Sequence, residues 1–179
     1  MTGTQTHRQW MLAACVLMAG GPASAEPRVI DLDPAQTQIL FLAWAFGILP
    51  VQGSFARFHG TLSYDPSQPG LCDVTISLDV ASLVMDDKDT RVFVISPEFL
   101  NVVDWPDITY QGTCQQPGIA GELRLHGVTR VLGLSVKREA GRFNAEATLR
   151  RADWGMTGHP MLVGPYVHIR ISADLPLPP

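Results

Sequence analysis

The chain of 179 residues has the length of one domain and carries 13 Lys and Arg against 17 Asp and Glu. The acidic balance and the lack of a basic run exclude a nucleic-acid platform and a polybasic membrane patch. Hydrophobic residues make up 46% of the chain and charged ones only 17%, which leaves more apolar surface than a compact soluble domain needs.

Residues 1–25 read as an export leader. His7 and Arg8 precede an apolar run over 10–19, and Ala23-Ser24-Ala25 supplies the small-x-small site for cleavage after Ala25. The run is shorter than the about 20 residues a membrane-spanning helix requires. An alternative lipoprotein box, Leu12-Ala13-Ala14-Cys15, has only Trp10 and Met11 as apolar residues before it. The mature chain, 26–179, is then expected to be a single soluble, exported domain.

The first strand, 36–46, is apolar on both faces: Ile39, Phe41, Ala43 and Ala45 on one, Leu40, Leu42, Trp44 and Phe46 on the other. Gly47 and Pro50 break it. The strand 53–65 aligns Phe58, Gly60, Leu62 and Tyr64, and Phe55, out of phase with them, implies a β-bulge. A turn at 66–70 leads into the cleanest alternation, with Cys72, Val74, Ile76, Leu78 and Val80 inward. Residues 86–103 interrupt the rhythm like a flap. Ser96-Pro97-Glu98 reads as a helix start, and 86–93 as a second short helix capped by Asp86. Strand rhythm resumes with Ile108, Tyr110, Gly112 and Cys114. A hairpin around Gly127-Val128 follows, with Leu123, Leu125, Leu132, Leu134 and Val136 inward. Phe143, Ala145, Ala147 and Leu149 share the next face, and the last strand alternates Val167, Ile169, Ile171 and Ala173 with His168, Arg170, Ser172 and Asp174.

About eight strands result. Left as an open sheet they would expose two bare edges. Closure into an eight-stranded antiparallel barrel removes the edges and leaves room for one small ligand; a two-sheet sandwich fits the same periodicity. Antiparallel pairing of the strand that starts at Cys72 with the one that ends at Cys114 brings both thiols to one end, pointing inward. This favours a disulfide over two separate buried thiols, and places the flap inside the closed loop with the bridge at its base.

The segments "FARFHGTLSYDP", "SPEFLNVVDWPDITY", "GELRLHGVTR" and "RADWGM" occur in the order and near the spacing of the YceI-like family. The chain resembles that family from about Asp33 to Leu175, most specifically at Trp105, Pro106, Ile108 and Tyr110. The resemblance implies a lipocalin-like barrel in the bacterial periplasm that holds a polyisoprenoid or an isoprenoid quinone in an elongated apolar channel. It implies further that some relatives dimerise, and that some are encoded with or fused to a cytochrome b-type membrane protein. The family's first long strand commonly has a histidine where this chain has Ala45, so a head-group contact made there in relatives is missing here.

The expected channel lining comprises Phe41, Ala43, Ala45, Phe58, Leu62, Val74, Ile76, Leu78, Val80, Ile108, Tyr110, Leu123, Leu125, Leu132, Leu134, Val136, Phe143, Leu149, Val167, Ile169 and Ile171. The small Ala43, Ala45, Ala145 and Ala147 leave room. The bland alternative is that these side chains fill the barrel. Nothing points to catalysis: His59, His126, His159 and His168 lack metal-ligand spacing, no nucleophile elbow is present, and Asp153 reads as the cap of a turn at Gly155. No covalent cofactor or metal is implied, and a small-substrate isomerase ranks below both a carrier and an interaction module. The outer stripe Leu40, Leu42, Trp44 and Phe46 is expected to be covered by the flap or by 28–34, with a dimer or membrane-protein contact as the alternative.

Overall fold

The computed structural model describes residues 28–174 apart from 66, 67, 69, 140 and 141; the leader, its cleavage site and Cys15 lie outside the described residues. The elements are β1 (Arg28–Leu32), β2 (Thr37–Ala45), β3 (Leu49–Phe55), β4 (Phe58–Tyr64), β5 (Cys72–Asp79), β6 (Leu83–Val84), α1 (Lys88–Val94), β7 (Asp107–Gln115), β8 (Gly118–Leu125), β9 (Val128–Glu139), β10 (Arg142–Arg150) and β11 (Tyr166–Asp174). They form one antiparallel sheet in the order β1-β4-β5-β7-β8-β9-β10-β11-β2-β3-β6. The sheet curls into a lipocalin-like barrel, with a buried cluster of Leu, Ile and Val side chains on its concave face.

The curl into a barrel decides against the sandwich that the alternation left open, with eleven strands among the described residues where about eight were expected, and three further details differ from expectation. First, 53–65 is two strands without a bulge. Phe55 pairs with Leu83 of β6, and Phe58 pairs with Leu78 of β5. The phase slip at Phe55 marks a change of partner, which periodicity cannot distinguish from an inserted residue. The seam between β3 and β4 is held around Ser82, whose Oγ accepts from the Arg57 amide (2.9 Å) and donates to the Asp79 carbonyl (2.7 Å). Second, Asp87, not Asp86, caps α1, accepting from the Thr90 amide at 2.7 Å. Ser96-Pro97-Glu98 starts no helix; Ser96 closes a turn, its carbonyl accepting from the Phe99 and Asn101 amides.

Third, the disulfide joins Cys72 and Cys114 across a Cα–Cα distance of 4.9 Å, but it is remote from the flap. The flap leaves the barrel at the paired Asp79 and Asp107, the opposite end of the same ladder. Seven residues of strand, about 23 Å, separate the two points. The bridge therefore secures the far end of the barrel.

The aromatic-Pro motif has a local cause. His126 and Gly127 form the two-residue β8–β9 turn, both with positive φ (50° and 73°), as such a hairpin requires. Trp105 lies against Gly127 so closely that a Cβ there would strike the indole. Arg124 covers the same ring at 5.8 Å.

Candidate functional site

Inward side chains of eight strands would meet at the barrel axis if they were all large. They do not: a cavity of about 450 Å³ remains. Its wall is built from Ile39, Leu40, Phe41, Ala43 and Ala45 of β2, Val51 and Phe55 of β3, Ile76 and Leu78 of β5, and Ile108 and Tyr110 of β7. Leu123 and Leu125 of β8, Leu132 and Leu134 of β9, Leu149 of β10, and Val167, Ile169 and Ile171 of β11 complete the circle. Ala43 and Ala45 leave space because a methyl side chain ends where a leucine would reach the axis.

Tyr110 forms the floor. Its hydroxyl crosses β8 to donate to the Leu132 carbonyl at 3.1 Å. Gly112 and Gly121 make this crossing feasible, since a Cβ on either would stand 2.9 or 2.6 Å from the phenol oxygen. Burial pushes the Tyr110 phenol up to about 12, so it is neutral and serves as a donor.

The other end is roofed by non-strand residues. Phe93, Val94, Phe99 and Leu100 come from α1 and the turn after it, and Met156, Leu162 and Val163 from the β10–β11 connection. Two devices hold this roof. Arg151, buried, donates to the carbonyls of Met156 (2.6 Å), Val163 (3.1 Å) and Gly164 (3.1 Å). Its guanidinium sits over the Phe99 ring at 5.6 Å, and burial lowers its pKa. His159 contacts the Glu98 carboxylate at 2.5 Å and lies nearly parallel to Phe99, at 9° and 6.3 Å. Among the wall residues, Asp87 and Asp89 at the start of α1 are the exposed ones, and Thr90 beside them is half-buried, as are Ala45, Val51, Leu162 and Val163. The mouth is accordingly placed at the first turn of α1.

Fifteen of the residues proposed from sequence lie on this wall, and six do not. Leu62, Val74, Val136 and Phe143 pack toward the disulfide end, below Tyr110, while Phe58 and Val80 pack at the β3–β4 seam. Period-two alternation tells which face is inward but not how deep along the bore a residue sits. Ala145 and Ala147 likewise face the core without reaching the cavity. The roof was missed because its residues are outside strands; only the helical spacing of Thr90, Phe93 and Val94 signalled it.

No histidine is among the wall residues, and no group of three His, Cys, Asp or Glu converges among the described residues. Asp153 does not cap its turn. Its side chain is exposed, and the turn ends on Gly155 at φ 78°, which a glycine adopts without strain. Of the outer stripe, Leu40 and Leu42 are half-buried, Leu40 as part of the cavity wall, whereas Trp44 and Phe46 remain exposed, covered neither by the flap nor by 28–34.

Comparison with known proteins agrees with this architecture. The chain is 26% identical over 159 residues to a UPF0312 protein of Pseudomonas savastanoi, covering 79% of this chain and 82% of the relative. It is 27% identical over 160 residues to Protein YceI of Salmonella arizonae, covering 80% and 83%. Among solved structures, BcnA of Burkholderia cenocepacia superimposes with a TM-score of 0.68 at 19% identity, over 78% of this chain and 96% of that one. A polyisoprenoid binding domain from Saccharophagus degradans gives 0.59 at 14% identity, over 80% and 95%. The model of the YceI-like domain matches residues 31–175, and the chain belongs to the YceI-like family.

Proposed function

We propose that this protein is an exported carrier that holds the tail of an isoprenoid lipid or quinone in its cavity, without a covalent step. The observation that carries this reading is a space of about 450 Å³ whose wall is apolar but for Tyr110, Arg151 and the group at the mouth. At about 30 Å³ per carbon-sized group, it takes about fifteen carbons, or three isoprene units. At about 0.8 kcal/mol per buried methylene, these offer about 12 kcal/mol gross, comparable with the cost of association. A longer tail continues out through the mouth. The tail lies toward Tyr110 and the head near α1, where the polar groups are.

Further support is the polyisoprenoid binding domain among the structural neighbours. The leader and the disulfide fit an oxidising compartment such as the periplasm. With Ala45 in place of the family's histidine, head-group recognition falls to residues of the mouth. The rival reading, a filled barrel that merely docks on a cytochrome b-type membrane partner, gains nothing from an interior with this much space.

Native mass spectrometry with lipid extraction, on protein purified from its own cells, tests the proposal: one isoprenoid per chain is expected. The Leu134→Trp variant places an indole in the bore and should reduce uptake of added prenyl lipid at least about tenfold while the far-ultraviolet circular dichroism stays unchanged. Undiminished uptake refutes the assignment of the bore.

A further inference from the structure

The β2–β3 hairpin and the segment beside it form one uncovered projection. The Phe46 amide donates to the Leu162 carbonyl (2.8 Å), the Gly164 amide donates to the Trp44 carbonyl (2.7 Å), and Ala45 bridges to Val163. At its tip Phe46, Ile48 and Met161 are 64%, 74% and 95% exposed. Residues 44–50 and 160–166 contain no charged side chain.

Composition changes in layers down the outer face. Below the tip come Trp44 and Tyr166, 38% and 52% exposed. Two residues further along the strands, Leu42 lies between Gln52 and His168. Two further still, the flanking residues are Ser54 and Arg170. Apolar side chains thus give way to amphipathic aromatics and then to polar and charged groups over about 20 Å. A bilayer surface has the same sequence of layers: hydrocarbon, headgroups that accept Trp and Tyr, then water. A protein partner calls for a different pattern, an apolar centre ringed by polar groups. The projection also adjoins the cavity: Ala45, Leu162 and Val163 line it, Ala45 next to Phe46 in the chain and Leu162 next to Met161.

We propose that this projection docks the protein on a lipid surface, with Phe46, Ile48 and Met161 at acyl depth and Trp44 and Tyr166 among the headgroups. An apolar ligand then passes from bilayer to cavity without crossing water. The purpose of the docking rests on the carrier reading above; the docking itself does not. Attachment is peripheral, since no helix among the described residues is long and apolar enough to cross a membrane. With no charge in the tip, attachment needs no anionic lipid.

The test is flotation of the protein with phosphatidylcholine vesicles. Wild type is expected to float equally at about 0.1 M and about 1 M salt. The variant Phe46→Asn/Ile48→Ser/Met161→Ser is expected to partition at least about tenfold less. Asn suits the positive φ of 51° at Phe46. Brominated lipid should quench the wild type's fluorescence, and the quenching should weaken in Trp44→Phe. Wild type that stays in solution, or a variant that floats as well, overturns the proposal. So does a wild-type dimer that the triple variant dissociates into monomers without any vesicle binding, which would make a second copy the occupant. Uptake of geranylgeraniol added from ethanol separates the two readings. If both proteins take it up but neither floats, docking fails and carriage stands; if wild type floats but neither takes it up, carriage fails and docking stands.

Discussion

The two ends of the barrel are built on different principles. At the disulfide end, Leu62, Val74 and Ile119 are buried strand residues packed side by side, and Cys72 is joined to Cys114 above them. At the mouth, the cover consists of one seven-residue helix, a turn and the β10–β11 connection, held by Arg151 and the Glu98–His159 contact. The first arrangement removes apolar area from water in one cooperative ladder. The second uses few, local bonds, which can open without unfolding the sheet. Stability is thus concentrated at one end and access at the other, with Tyr110 as the partition between them.

This contrast can be broken at either end. The largest effect is expected from removing the disulfide with Cys72→Ser/Cys114→Ser. A loop with a sequence separation of 42 gives about 4 kcal/mol in the chain-entropy treatment, read as a drop in unfolding free energy in denaturant. Lipid uptake by the folded fraction should persist, since neither cysteine is a wall residue. Leu62→Ala comes next, at about 3 kcal/mol for a buried leucine, again with uptake retained. A loss of uptake without a loss of stability in either variant would show that the closed end is part of the binding site.

Tyr110→Phe probes the partition. Loss of the hydrogen bond to Leu132 costs about 1 kcal/mol. The pH dependence is the sharper readout. The folded pKa is raised to about 12 from the ordinary 10.0 of a tyrosine, so the unfolded chain loses its proton first. The stabilisation is complete below pH 10 and declines as pH rises from 10 towards 12. Alkaline denaturation midpoints should show this decline in wild type and a shallower one in Tyr110→Phe.

The smallest effect on the whole molecule belongs to the mouth. The Asp87 carboxyl is held below its ordinary value, first by the Thr90 hydroxyl and then by the Thr90 amide. A lowered value means that the cap supports α1 above the unfolded pKa and is lost as pH falls through the folded one. Asp87→Ala should leave the melting temperature nearly unchanged. It should speed hydrogen exchange in α1 and release of bound lipid by about fivefold. A melting temperature that falls as far as with Leu62→Ala would erase the distinction between the ends.

The strand content and the cysteine pairing could be read from the residues, because side chains in strands alternate and an even pair at matching ladder positions has little choice of partner; alternation left barrel and sandwich open, and the resemblance to the YceI-like family pointed to the barrel. Leu78, Leu125 and Leu134, inward by that alternation, line the cavity. Leu62 and Val74 have the same alternation and the same chemistry, yet they lie beneath the floor. The phase of a strand residue is a local property, but its height along the bore depends on the stagger of every neighbouring strand. Phe55 is similar: its phase was visible, and its new partner Leu83 was not.

The sequence by itself therefore determined which faces of the strands are apolar, where the rhythm breaks, and that Cys72 and Cys114 can meet. Only the tertiary structure decided that Tyr110 closes one end, that Phe93, Phe99 and Arg151 assemble a roof at the other, and that the Phe46 tip stays bare. Each of these depends on non-local packing: a ring crossing two glycines, a guanidinium reaching three carbonyls of a distant loop, and a hairpin extending past the barrel rim. Alternation has a range of two residues and carries no information about contacts made across the fold.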